Sequence, residues 1–163
     1  MKLLLAMLLS LAASVSALAQ ESVYVEAVRC VGGPFGMKLP ADARKLRLMA
    51  PLLREAIAEV ERWDGYTATR KTLYFEGLEI GVVEFSNDAA KLMVTHADIA
   101  SPKWNHLLPF KIHQSISSAR AVLGASATDD ARLSRSYDSD GDSLQFRTSG
   151  ALLVGISYSC YSG

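Results

Sequence analysis

Cysteine is scarce in this 163-residue chain, aromatic side chains make up only 8% of it, and neither sign of charge dominates. Each shortage excludes something. Seventeen Lys and Arg balance seventeen Asp and Glu, so the chain lacks the basic excess that captures nucleic acid or anionic lipid. Serines are plentiful, yet there is no G-x-S-x-G elbow and no S-x-x-K, the local settings that activate a serine nucleophile. Neither cysteine has a His or acidic cluster beside it, as a reactive or metal-binding thiol would.

Metal chemistry finds similarly little. His96 and Asp98 stand two apart on an expected strand and so share a face, but zinc needs three or four ligands and no third lies nearby. The run Asp138-Ser139-Asp140-Gly141-Asp142 suggests calcium. An EF-hand loop counted from Asp138 would want Gly and Glu where Ser143 and Ser149 stand, so a charged hairpin turn is expected instead. Glu76, Glu79 and Glu84 read as the wet face of a strand rather than as a catalytic carboxylate pair. No cofactor is expected.

What is present begins at the N-terminus. Met1-Lys2, an apolar stretch from Leu3 to Leu11 and the small-residue sequence Ala17-Leu18-Ala19 are the three parts of a cleavable signal peptide. The stretch is too short to span a bilayer, which takes about 20 apolar residues. Cleavage after Ala19 would leave residues 20–163, one domain's length, exported to the periplasm or medium and without stable membrane insertion. No cysteine sits at the cleavage site to take a lipid. In an exported chain the pair Cys30 and Cys160 is read first as a disulfide.

The mature chain divides into two related halves, about 20–100 and 109–163. Pro34-Phe35-Gly36-Met37-Lys38-Leu39 corresponds to Pro109-Phe110-Lys111-Ile112-His113-Gln114, and the pattern Y-x6-L-x-F occurs at Tyr66, Leu73, Phe75 and again at Tyr137, Leu144, Phe146. Each half opens with a helix. In the second, Ser115 caps Ile116, Ala119, Val122 and Leu123, and Gly124 ends the run. In the first, Asp42 caps a helical series Leu46, Met49, Leu53, Ile57 and Val60, broken or kinked at Pro51 and ended by Asp64-Gly65. Strands are expected over Ser22–Arg29, Thr72–Phe85, Lys91–Ile99, Arg132–Tyr137, Ser143–Arg147 and Leu152–Tyr158. The expected fold is α+β: a mainly antiparallel sheet with helices packed on one face.

Lys111-Ile112-x-x-Ser115, Val122-Leu123-Gly124, a Tyr-containing strand, Leu144-x-Phe146 and a last strand with Gly155-Ile156 together resemble the helix-plus-sheet unit of the SmpA/OmlA envelope lipoproteins and of secreted β-lactamase-inhibitor proteins. The similarity covers about 109–158, with a blurred copy over 34–99. His113 stands where those units carry glycine, and the lipoprotein cysteine is absent. The resemblance implies an interaction domain, and it assigns no binding residue, because such families share a scaffold rather than a site.

The expected function is therefore a non-enzymatic protein-interaction domain of the cell envelope. An inhibitor of a periplasmic or secreted hydrolase comes second. It would present exposed aromatics, and most of the few aromatics here pattern inward. A small hydrolase comes third and would need a cleft with perturbed carboxylates. The candidate partner-binding residues are Trp104 and His106, in the connector Ser101–Leu108, and His113. Trp104 either anchors a partner or folds back to plug the seam between the halves, as the adjacent Leu107-Leu108 suggests.

Overall fold

The computed structural model describes residues 22–24, 28–124, 136–138 and 141–160. The signal peptide over 1–19, residues 25–27 of the expected N-terminal strand, the start of the expected strand at Arg132 and the middle of the acidic run at 139–140 lie outside the described residues.

Strands dominate. In chain order they are β1 (Ser22–Tyr24), β2 (Arg54–Trp63), β3 (Tyr66–Phe75), β4 (Leu78–Phe85), β5 (Asp88–Ile99), β6 (Ser136–Asp138), β7 (Ser143–Ser149) and β8 (Leu152–Ser159). Two short α-helices, α1 (Ala43–Arg47) and α2 (Ile116–Val122), and the 3-10 segment Pro102–Leu107 complete the described elements. The strands form one sheet in the order β1-β6-β7-β8-β5-β4-β3-β2. It is antiparallel throughout except where β1 runs parallel to β6.

Both helix caps fall where the sequence puts them. The Asp42 carboxylate accepts the backbone N–H groups of Arg44 and Lys45, and the Ser115 hydroxyl accepts that of Ser118. The first helix is much shorter than its apolar spacing predicts. It stops after one turn; Leu53 immediately precedes β2, Ile57 and Val60 lie on it, and all three are exposed. Asp64-Gly65 is thus a hairpin turn and not a helix stop. Gly65 takes a φ of 84°, which the two-residue turn between right-twisted strands demands.

The expected strand Thr72–Phe85 is also two strands. Glu76-Gly77 folds it back on itself, with Gly77 at a φ of 69°. Glu79 and Glu84 are five apart on β4 and so point to opposite faces, while Glu76 sits in the turn. The three carboxylates do not share one wet face. The two Y-x6-L-x-F patterns occupy different settings: Tyr66, Leu73 and Phe75 all lie on β3, whereas Tyr137 lies on β6 and Leu144 and Phe146 on β7.

Burial follows alternation. Leu73 and Phe75 of β3, Leu78, Ile80 and Val82 of β4, Ala97 and Ile99 of β5, Leu144 and Phe146 of β7, and Leu153, Ile156 and Tyr158 of β8 enter one apolar cluster. Leu46, Trp104, Phe110, Ile116 and Ala119 join the same cluster from outside the sheet. Cys30 and Cys160 are disulfide-bonded, with Cα atoms 5.6 Å apart across a sequence separation of 130. The Cys30 N–H donates to Asp142 Oδ2 at 2.8 Å, so the last carboxylate of the acidic run braces the disulfide's backbone.

Candidate functional site

Trp104 is buried, with 1% of its surface exposed. Its indole packs edge-on to Phe75, ring centroids 5.7 Å apart, and its Nε1–H donates to the Glu76 carbonyl at 2.9 Å. An aromatic with its one polar group satisfied inside the fold is not a surface anchor. His106 is exposed on the same segment, its Nδ1 3.0 Å from the Lys103 carbonyl. His113 is exposed at a φ of 75°, unusual for a residue other than glycine, and its N–H donates to the Leu153 carbonyl at 2.7 Å. The structure does not gather these three into one surface feature: one is core, one flanks it and one is a turn.

His96 and Asp98 do share a face of β5, opposite Gly81 and Glu79 of β4. His96 Nε2 lies 3.5 Å from Glu79 Oε1, while Asp98 accepts from Arg147 at 2.6 Å and from the Ser157 hydroxyl at 2.8 Å. These are cross-strand polar pairs of a sheet surface. Among the described residues, no three of His, Cys, Asp and Glu come together as a ligand set.

A denser group of charges lies where α1 meets β2, β3 and β4. Arg47 reaches Glu55 at 2.9 Å and Glu84 at 2.6 Å, and Lys71 reaches the same two carboxylates at 3.0 and 2.8 Å. The Arg47 hydrogen bond holds Glu55 at a pKa of about 2, with Lys71 adding to it against desolvation. For Glu84 desolvation is the largest influence and favours the neutral acid, but hydrogen bonds from Arg47 and Lys71 outweigh it and the pKa is lowered. Two cations and two anions thus satisfy each other. The square fixes α1 to the sheet and leaves no carboxylate poised as a general acid.

The feature with a binding surface's composition is at the β2–β3 hairpin. Trp63 and Tyr66 flank its turn with ring planes 7° apart and centroids at 6.2 Å; Phe85 of β4 lies 6.0 Å from Tyr66. Lys91 of β5 places Nζ 4.6 Å over the Phe85 ring. With Ala68, Val83 and Met93 as floor and Glu61 and Arg70 at the margin, these side chains enclose a hollow of about 360 Å³. Trp63 is 58% exposed. Arg70 Nε lies 3.3 Å from Glu61 Oε1, so the rim is charged but internally paired. Sequence reasoning missed this group because it read residues 53–63 as helix. Asp64-Gly65 between two aromatics is the signal that could have found it.

No known family, curated protein or solved structure matches the chain.

Proposed function

We propose that the chain is an exported, non-enzymatic protein-interaction domain of the cell envelope, and that it grips its partner with the Trp63–Tyr66–Phe85 hollow. The observation that carries this reading is Trp63, 58% exposed and stacked on a half-buried Tyr66 beside Phe85 over an apolar floor, whereas Phe75, Trp104, Phe110, Phe146 and Tyr158 are buried in the core. Trp and Tyr are the residues on which interface energy concentrates, and a concave apolar floor with a charged rim is the setting in which they work. In the same reading residues 1–19 are removed on export, the helices cover one face of the sheet, and the opposite face with its His96–Glu79 and Asp98–Arg147 pairs stays open beside the hollow. The two halves and the likeness to SmpA/OmlA-type units belong to this reading as its evolutionary side.

The test is affinity capture from envelope extract with the purified chain and a Tyr66→Ala/Lys91→Glu variant. Lys91 is exposed and Tyr66 is half-buried outside the main apolar cluster, and an unchanged circular-dichroism spectrum of the variant is the control for its fold. A protein retained by the wild type and lost by the variant supports the hollow as the grip; equal retention removes it. One observation favours the inhibitor reading as the second: the exposed aromatics are what an inhibitor presents to an enzyme. If the captured protein is a hydrolase whose activity falls on binding, that reading replaces the first.

A further inference from the structure

The outer edge of the sheet is formed by β2, and among the described residues nothing pairs with its far side. A ten-residue open edge is a template for another strand. The register with β3 settles which side chains share a face. Glu55, Ile57, Val60 and Arg62 stand opposite Leu73, Lys71, Thr69 and Thr67, alternate residues of β3 that lie on one face. Ala58 is the extra residue of a bulge that lets Ile57 and Val60, three apart, point the same way. Ile57 is 63% exposed and Val60 48%.

We propose that the protein is a twofold dimer in which β2 of one copy pairs antiparallel with β2 of a second copy, joining the two sheets edge to edge. Antiparallel self-pairing across a bulged strand must match face to face, and the register centred on Ala58-Glu59 does so along its length. It sets Ile57 against Val60 of the second copy and, by symmetry, Val60 against Ile57, closing the exposed apolar positions into one four-residue cluster. It sets Glu55, held in its own chain by Arg47 and Lys71, beside Arg62 of the second copy twice over, and Arg54, stacked 4.0 Å over its own Tyr74 ring, beside Trp63. Glu59 flanks the axis, and Arg70 3.4 Å away in its own chain offsets its charge. Edge charges that guard against self-association would meet their own kind all along the axis; here only the two Glu59 do, each beside its own Arg70, while Glu55 and Arg62 meet the opposite sign. The occupant is therefore a second copy. The dimer goes beyond the partner-binding reading; the two surfaces share Trp63 and Glu61, and their tests stay distinguishable because Tyr66 and Lys91 are not on the edge and Ile57 does not line the hollow.

The test uses the purified chain in sedimentation velocity over a range of concentrations, with Ile57→Lys beside it. The expected result is a dimer whose association is lost in Ile57→Lys. The register is tested by mixing two variants, Ile57→Cys and Val60→Cys, under mild oxidation. The mixed disulfide should form in preference to either like-with-like disulfide, because residues 57 and 60 face one another only in this register. A monomer at every concentration, including one whose β2 takes up an extended segment of another protein, overturns the proposal. So does a dimer that survives Ile57→Lys, or cross-linking without preference for the mixed pair.

Discussion

Trp104 fills space and satisfies its own donor, so its loss removes two things at once. Trp104→Ala leaves a cavity against Phe75 and an unfilled acceptor at the Glu76 carbonyl. The expected cost is about 3–5 kcal/mol, read from urea unfolding, and Trp104→Phe should recover most of it. The residue's burial was half legible: the neighbouring Leu107-Leu108 pointed inward, but its acceptor lies 28 residues away in a turn that sequence reading did not place. Glu55 makes a second residue-scale prediction. Its folded pKa of about 2 lies below the ordinary 4.5 because Arg47 and Lys71 favour the carboxylate. A group with a depressed folded pKa stabilises fully above its unfolded value, and that stability is lost as pH falls from 4.5 towards 2. Denaturation midpoints of the wild type should fall across that window, and those of Glu55→Gln should fall less steeply. Equal slopes would mean that Glu55 contributes nothing to acid sensitivity.

At the scale of elements, β2 explains why one stretch misled. Leu46, Met49, Leu53, Ile57 and Val60 are spaced as a helix face would be, yet Leu46 belongs to α1, Leu53 to the segment leading into β2, and Ile57 and Val60 to that strand. The bulge at Ala58 is the physical source of the mimicry, since it gives a strand two same-face apolar residues at a spacing of three. Long-range pairing with β3 then overrides a local pattern that was only a period, not a buried face. The second helix was legible because cap and stop agree with an apolar face: Ser115, then Ile116, Ala119 and Leu123 buried before Gly124, although Val122, expected on that face, is exposed. The Glu76-Gly77 hairpin was not, because a lone E-G dipeptide inside an apolar run is a weak turn signal. Gly77 nevertheless carries a strict demand. A Cβ there would collide with the Ser101 Cβ, and the φ of 69° penalises any L side chain. Gly77→Ala should cost about 1–3 kcal/mol, measured against Gly150→Ala, where the turn has open space. Equal losses at the two positions would argue against the close approach to Ser101.

Over the whole molecule, one covalent bond spans nearly all the described chain. Cys30–Cys160 closes a loop of 130 residues, tying the segment before α1 to the end of β8. In the chain-entropy view such a loop adds about 5 kcal/mol, so reduction should lower the urea midpoint sharply while the native dimensions persist at low denaturant. The disulfide was legible from the signal-peptide pattern and an even cysteine count, but the hollow was not, because Trp63, Tyr66, Phe85 and Lys91 come from four strands brought together by register alone. Hydrogen-exchange footprinting of the chain with whatever protein it captures from envelope extract tests the proposed role of that hollow most directly. Protection should concentrate in 61–70 and 83–93, around the hollow. Protection over 101–115 instead, around His106 and His113, or no change anywhere, would contradict the assignment.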